Sequence, residues 1–238
     1  MKKIGVLLLI VAVVLISLLV AGVFKKPLPV VPPVVAEPKG PVIAIVLDPG
    51  HGGRDPGAVV GDVLEKDVNL AIVKRMKALA EVEPGLNPIL TRTADVTVDK
   101  LDRIHLAEEV KAALYLSVHT NAFDDPEVHG TETWVDDTRE PDDPSWLLAE
   151  SVQNALAAAT EARDRGVRSQ ELYLHHTKLP AVSVEVGFLT CPEERAKLLD
   201  PAYQDQVACG ILKGILDYLD AAGILGYPDA TAATGGSN

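Results

Sequence analysis

An apolar stretch that ends in a glycine-rich turn constrains the fold of this chain more than any other feature. Residues 43–47 read IAIVL, and the turn DPGHGG follows at once. A short run of β-branched residues bounded by turn residues predicts a buried strand, Ile43–Leu47. Glycine tolerates positive φ and lets other groups approach closely. The turn is therefore expected to present His51 with open space around its imidazole, although a turn histidine that caps the loop is an equally simple reading.

Two more apolar runs carry side chains suited to chemistry. Leu114–Val118 leads into His119, and the run AVSVEVGF contains Glu185. An ionised carboxylate in an apolar strand is costly unless it is paired or binds a metal, so Glu185 indicates function. Glu65 begins an amphipathic helical pattern, where a solvated acid that suits the helix dipole is the simplest reading. His119 taken alone is compatible with a satisfied core histidine.

Alternation of strand and helix patterns predicts an α/β fold with a single, mostly parallel sheet and helices on both faces. The predicted strands are Ile43–Leu47, Pro88–Thr91, Leu114–Val118, Thr131–Val135, Leu172–Leu174 and Ala181–Val186. The predicted helices are Asp67–Ala80, Asp99–Lys111, Ser145–Ala159, Glu193–Leu199 and Tyr203–Ala221.

The strand ends predict one site. In open α/β sheets, ligands collect at the carboxyl ends of the parallel strands. His51, His119 and Glu185 are therefore expected to meet there, with Glu65 nearby. Two imidazoles and a carboxylate that leave one position open form the ligand set of a catalytic zinc ion.

The N-terminal 41 residues predict attachment to a membrane. Ile4–Phe24 is an uncharged, apolar run of 21 residues, long enough as a helix to span a bilayer. We expect residues 1–26 to form a transmembrane anchor with the N-terminus inside, residues 27–41 a proline-rich linker, 42–224 the catalytic domain and 225–238 a disordered tail. A cleaved signal peptide is the alternative, but Lys25 and Lys26 follow the run where a small-residue cleavage site is usual.

Charge and cysteine content exclude some classes. The net charge of −12 argues against binding a phosphate backbone, so no nucleic-acid partner is expected. Cys191 and Cys209 fit neither a CxxC zinc pattern nor a disulfide framework. They are read as small apolar residues, and a single bridge between them stays open.

Weaker candidates flank the histidines. Arg54 and Asn121 are placed to contact substrate, and Asp48 to orient an imidazole from behind the metal ligands. Arg92 and Arg103 are interpreted as ion-pairing or capping residues.

The same motifs resemble the zinc-dependent N-acetylmuramoyl-L-alanine amidases of bacterial cell walls. The matching stretches are LDPGHGGRDPGA, LEKDVNLA, LSVHTNA, AVSVEVGFLT and LLDPAYQ, within about residues 42–220. The resemblance implies that His51, Glu65 and His119 bind Zn²⁺ and that Glu185 is catalytic. It also implies hydrolysis of the amide between the lactyl group of N-acetylmuramic acid and L-alanine in peptidoglycan, outside the cytoplasmic membrane.

Two other functions stay open at this point. One is an exported zinc peptidase that cuts within the stem peptide, and the other is a non-catalytic wall-binding or division-scaffold module. The sequence identifies neither an activator protein nor the preferred stem peptide.

Overall fold

A computed structural model describes residues 42–225, which contain eight strands, five α-helices and one 3₁₀ helix. The predicted anchor and linker, and nearly all of the predicted tail, lie outside this range. The strands are β1 (Ile43–Pro49), β2 (Val59–Val60), β3 (Val63–Leu64), β4 (Leu86–Leu90), β5 (Tyr115–Asn121), β6 (Thr131–Asp136), β7 (Asp164–Gln170) and β8 (Ala181–Phe188). The helices are α1 (Glu65–Ala80), α2 (Lys100–Glu109), α3 (Pro144–Thr160), α4 (Pro192–Leu198) and α5 (Pro201–Ala221), with the 3₁₀ helix η1 at Tyr173–His176.

Six strands form one sheet in the order β4-β1-β5-β8-β6-β7. The pairs β1–β4, β1–β5, β5–β8 and β6–β7 are parallel, and only β6–β8 is antiparallel. The predicted α/β fold with a mostly parallel sheet is confirmed. Strands β1, β5 and β8 lie side by side and run in the same direction, so the three segments that carry the candidate residues end at the same edge.

Alternate residues of the central strands face two hydrophobic cores. The larger core contains Ile45, Leu116 and Val184 and packs against α1, α3 and α5. The smaller core, on the other face, contains Val46 and Tyr115 together with residues of α2 and η1. Because both faces of these strands are covered, their sequences form nearly continuous apolar runs.

Two segments differ from the sequence prediction. Leu172–Leu174 was predicted as a strand, but Tyr173–His176 forms the 3₁₀ helix η1. The last strand of the sheet is instead Asp164–Gln170, which the sequence analysis missed. This strand lies at the sheet edge, and most of its residues are exposed or half-buried, so it needs no apolar alternation.

Within the described range, Cys191 and Cys209 are both free, the first buried and the second exposed. None of the helices in residues 42–225 combines the length and apolar character needed to cross a membrane.

Candidate metal and catalytic site

The turn after β1 holds His51 in an unusual backbone conformation. His51 has a φ of 61°, and Gly52 and Gly53 follow with φ of 129° and 60°. A non-glycine residue in the left-handed region is uncommon, although histidine is among the more tolerant types. Gly52 and Asp55 exchange two backbone hydrogen bonds of 2.9 and 3.2 Å, which close the loop. The turn therefore directs the imidazole back over the end of the sheet.

Two buried arginines hold the backbone of this turn. Arg92 donates to the carbonyl oxygens of Pro49 at 2.9 Å and Gly50 at 3.0 Å. Arg103 donates to the carbonyls of Pro49 at 3.1 Å and His51 at 2.8 Å. These contacts agree with the interpretation of both residues as capping groups. They also satisfy carbonyls that the turn leaves without a partner in the sheet.

Asp48 lies beneath the turn and has a different task from the one predicted. Its carboxylate is fully buried, pairs with Arg103, and accepts hydrogen bonds from Thr91, from Ser117 at 2.6 Å and from Tyr115 at 2.7 Å. Burial alone would raise the pKa of Asp48, but the Arg103 charge and these hydrogen bonds lower it below its usual value. None of these partners is an imidazole, so Asp48 anchors the turn and does not orient a histidine.

Asp55 supplies the carboxylate that contacts His51. Its Oδ2 lies 2.7 Å from His51 Nδ1, and its Oδ1 accepts a 3.1 Å hydrogen bond from the backbone of Gly57. The sequence analysis missed this residue. A carboxylate on one ring nitrogen fixes the tautomer and leaves the other nitrogen, Nε2, as the ligand atom.

Glu65 is the first residue of α1 and is 5% exposed. Its Oε2 accepts a 2.8 Å hydrogen bond from the backbone N–H of Ala58, and its Oε1 accepts 3.2 Å bonds from Asn69 Nδ2 and the N–H of Thr120. The β2–β3 hairpin leads directly into this helix start. Glu65 is therefore a buried acid held in one orientation.

His119 stands on β5 where the pairing with β8 becomes irregular, between His119 and Asn121. Irregularities of this kind redirect side chains near active sites. Its ring packs directly on Gly50: a Cβ placed there would lie 2.3 to 2.7 Å from three ring atoms. Gly57 has a similar position next to Glu65 and His51. The two glycines let the ligand side chains converge.

The nitrogens of both histidines point at one carboxylate oxygen. Glu65 Oε1 lies 3.2 Å from His51 Nε2 and 2.9 Å from His119 Nδ1. One ligand atom from each of the three residues lies within 4.8 Å of the others. Ligands about 2.05 Å from a tetrahedral zinc ion are ~3.3 Å apart, so the donor atoms and their spacing fit Zn²⁺.

Electrostatics also favour a cation at this point. Burial lowers the pKa of His51, but hydrogen bonds and charge from Glu65 and Asp55 raise it to about 9. Burial raises the pKa of Glu65, but both histidines lower it well below its usual range. The cluster therefore stabilises positive charge between the imidazoles and the carboxylate, where a metal ion would replace protons.

Glu185 lies beside this cluster on the neighbouring strand β8. It is in register with His119 on the neighbouring strand, and its Oε2 is buried with no hydrogen-bond partner among residues 42–225. Burial, with smaller contributions from Glu65 and Glu132, raises the pKa of Glu185 to about 7, although His119 opposes the shift. The side chain is half-buried, and a carboxyl group that titrates near neutrality is suited to exchange protons with a substrate.

The two predicted substrate contacts differ in position. Arg54 is exposed on the loop beside His51, where its backbone N–H donates to Thr97 Oγ1 at 3.0 Å. Asn121 is half-buried, and its Nδ2 donates to Glu132 Oε1 at 2.9 Å. Glu132 was not predicted. Its signal in the sequence was an acidic residue inside the predicted strand Thr131–Val135, which carries no other charge.

Comparison with known proteins agrees with this geometry. Residues 45–217 match the family described as N-acetylmuramoyl-L-alanine amidase. The N-acetylmuramoyl-L-alanine amidase LytC of Bacillus subtilis is 38% identical over 183 residues, 76% of this chain but only 36% of LytC, so the chain spans about a third of that relative. The germination-specific N-acetylmuramoyl-L-alanine amidase of the same organism is 34% identical over 195 residues, with 75% of this chain and 81% of the relative covered.

A solved structure gives the same result for the fold. The crystal structure of N-acetylmuramoyl-L-alanine amidase from Clostridium difficile 630 superposes with a TM-score of 0.73 and 34% identity, covering 76% of this chain and 99% of the other. The family match covers both histidines and both glutamates of the site. The chain therefore belongs to the N-acetylmuramoyl-L-alanine amidase family and is an enzyme of that class, as its motifs predicted.

Proposed function

We propose that this protein is a zinc-dependent amidase that hydrolyses the bond between the lactyl group of N-acetylmuramic acid and L-alanine in peptidoglycan. The observation that carries the proposal is the convergence of His51, Glu65 and His119 beside Glu185, whose Oε2 finds no hydrogen-bond partner in the described part of the chain. Zinc held by these three residues supplies Lewis acidity to the scissile carbonyl and makes water a nucleophile near neutral pH.

The residues around the proposed metal ligands fix the orientation of the ligand side chains. Asp55 holds the His51 ring with Nε2 toward Glu65, and the backbone N–H groups of Ala58 and Thr120 hold the Glu65 carboxylate. Partners of this kind fix the orientation of metal-binding side chains.

Glu185 carries the proton in this proposal. It accepts the proton that water loses as its oxygen attacks the carbonyl carbon, and it then donates a proton to the departing nitrogen of L-alanine. An amine leaves poorly unless it is protonated, so both transfers are needed. The pKa of about 7 suits a group that must take up and release the same proton.

We further propose the domain plan and location that the N-terminal sequence predicts. Residues 1–26 anchor the protein as a single-pass membrane protein, residues 27–41 act as a linker, 42–224 form the catalytic domain, and 225–238 are a tail. Peptidoglycan lies outside the cytoplasmic membrane, so the catalytic domain would act on that side.

Product analysis tests the proposal. The purified chain is incubated with isolated peptidoglycan, with and without a zinc chelator, and the new termini are identified by mass spectrometry. We expect free lactyl carboxyl groups on muramic acid and free amino groups on L-alanine, and no release in the presence of chelator. New termini within the stem peptide would identify a peptidase instead, and release that chelator does not affect would contradict the zinc assignment.

A further inference from the structure

A second charged cluster adjoins Glu185 on the side away from the histidines. Glu132 on β6 is the register partner of Glu185 on β8. Side chains of directly opposed residues lie on the same face of a sheet with Cβ atoms about 5 Å apart. Whatever binds around Glu132 is therefore adjacent to the proposed proton shuttle.

Two guanidinium groups share the single carboxylate of Glu132. Glu132 is 2% exposed, and its Oε2 lies 2.7 Å from Arg165 Nε and 3.3 Å from Arg168 Nε. Its Oε1 accepts the hydrogen bond from Asn121. These ion pairs set two positive charges against one negative charge, in a chain whose net charge is −12.

Aromatic rings hold both guanidinium groups in place. Arg165 lies over the Phe188 ring at 5.0 Å, and Arg168 lies over the Trp134 ring at 5.8 Å. The side chain of Arg165 is 18% exposed and that of Arg168 is 43% exposed. Arg168, fixed through Nε and one ring face, still offers its two terminal nitrogens, and this planar fork matches a carboxylate.

Arg168 also lies on an open part of the sheet face that leads to Glu185. Arg168, Trp134 and Ser183 are register neighbours on β7, β6 and β8. Ser183 and Trp134 are half-buried, and Arg168 is exposed. Glu185 is two residues beyond Ser183, on the same face of β8. A peptide lying along this face would reach the arginine directly from the scissile bond.

We propose that Arg168, held by Glu132 beside Arg165, binds a carboxylate of the stem peptide and so contributes to substrate specificity. The inference rests on the proposed amidase function and assigns a subsite to it. Arg168 is on β7, two strands from Glu185, but its Nε reaches back to Glu132 on β6, one strand spacing of about 4.8 Å from Glu185. Saccharide hydroxyls carry no charge, so the positive charge of the arginine complements the acidic peptide and not the glycan.

Binding and turnover of two matched ligands test this subsite. The ligands are a soluble muramoyl peptide with free carboxylates and the same peptide with those carboxylates converted to amides. In the full-length chain, we expect Arg168→Gln to raise KM about tenfold or more for the free acid, the loss typical of a charge-assisted hydrogen bond, and to change KM little for the amide. Arg168→Lys keeps the charge without the fork and should give an intermediate KM.

Arg163→Gln is the matched control. Arg163 is exposed just before β7, and it makes no ion pair among residues 42–225. The Arg163→Gln variant should therefore bind and hydrolyse both ligands as the unchanged chain does. Equal losses on both ligands for Arg168→Gln, or no loss on either, would overturn the subsite.

A second readout separates the subsite from the proposed function. Dissociation constants are measured for the same two ligands with Glu185→Gln alone and combined with Arg168→Gln. A preference for the free acid that disappears in the double variant supports the subsite, and its absence contradicts it. An unchanged chain that hydrolyses neither ligand would contradict the amidase proposal, while these dissociation constants still decide the role of Arg168.

Discussion

At the scale of single residues, the contact between Gly50 and His119 leaves no room for a side chain at Gly50. A Cβ at Gly50 would lie 2.3 Å from the ring, closer than real Cβ contacts. We expect Gly50→Ala to displace His119 and to weaken zinc binding about 10- to 100-fold, the range for disturbed outer contacts of a metal ligand. Competition with a chelator measures the affinity, and circular dichroism checks the fold.

Gly61→Asn is the control for Gly50→Ala. A Cβ at Gly61 meets nothing within 4 Å, and asparagine tolerates the positive φ of 61° at this position. Its zinc affinity should stay unchanged. Equal zinc affinity in Gly50→Ala and the unchanged chain would show that His119 is not a ligand, or that its position is not fixed by this contact.

The charge of Asp48 should make the free energy of unfolding depend on pH. Asp48→Asn removes the charge that compensates buried Arg103, so we expect a loss of about 3–5 kcal/mol at pH 7. The pKa of Asp48 is lowered in the folded protein. Its stabilisation is therefore fully present above the unfolded value of about 3.9 and is lost as the pH falls through the lower folded value.

Urea denaturation from pH 7 down to pH 3 checks this. The difference in unfolding free energy between the unchanged chain and Asp48→Asn should be constant near neutrality and shrink below about pH 4. A difference that stays the same at pH 3 would mean that Asp48 is not charged in the folded protein at neutral pH.

The residues that the sequence made predictable are those that interrupt an apolar strand or end one. His51, His119 and Glu185 all belong to this class, and the parallel order of β1, β5 and β8 brings them together. Asp55 was not predictable, because its contact with His51 depends on left-handed backbone angles that no single residue type specifies. Asp48 was assigned to the right region but the wrong partner, since its contacts come from β5, α2 and Thr91, which follows β4.

At the scale of elements, the strands and helices with apolar periodicity were predictable, and β7 was not. Its sequence, DRGVRSQ, has no apolar alternation because it lies at the sheet edge and carries Arg165 and Arg168. The antiparallel direction of β6 could not be predicted either, because the direction of a strand depends on the neighbour with which it pairs.

Helix α4 ties the two strands of the proposed subsite together through one side chain. Glu194 is buried and accepts backbone hydrogen bonds from Gly130, just before β6, at 2.8 Å and from Phe188, at the end of β8, at 2.7 Å. Glu194→Ala leaves both buried donors unsatisfied, so we expect a loss of about 2–4 kcal/mol in unfolding free energy. Urea denaturation measures it.

Glu193→Ala is the control for Glu194→Ala, because Glu193 is exposed in the same helical turn. Its effect should stay within about 0.5 kcal/mol. Similar losses in the two variants would show that the helix itself, and not the Glu194 hydrogen bonds, determines the change.

At the scale of the whole molecule, the N-terminal sequence predicts that the catalytic domain stays attached to a membrane. The uncharged run from Ile4 to Phe24 has the length of a bilayer span. We expect the mature protein to keep these residues and to sediment with membranes after cell lysis. N-terminal sequencing checks this, and a first residue near Glu37, after Val34-Val35-Ala36, would identify a cleaved signal peptide.

The central claim is that three residues hold one metal ion while a fourth moves protons, and two glutamates allow a direct test. Zinc per chain and turnover are measured for the unchanged chain, Glu185→Gln and Glu65→Gln. We predict one zinc ion per chain in Glu185→Gln with kcat lower by about 10²–10⁴-fold. Glu65→Gln should bind zinc weakly and recover activity in excess metal. Loss of zinc from Glu185→Gln, together with a Glu65→Gln that keeps its zinc and loses only turnover, would reverse the two roles and contradict the account.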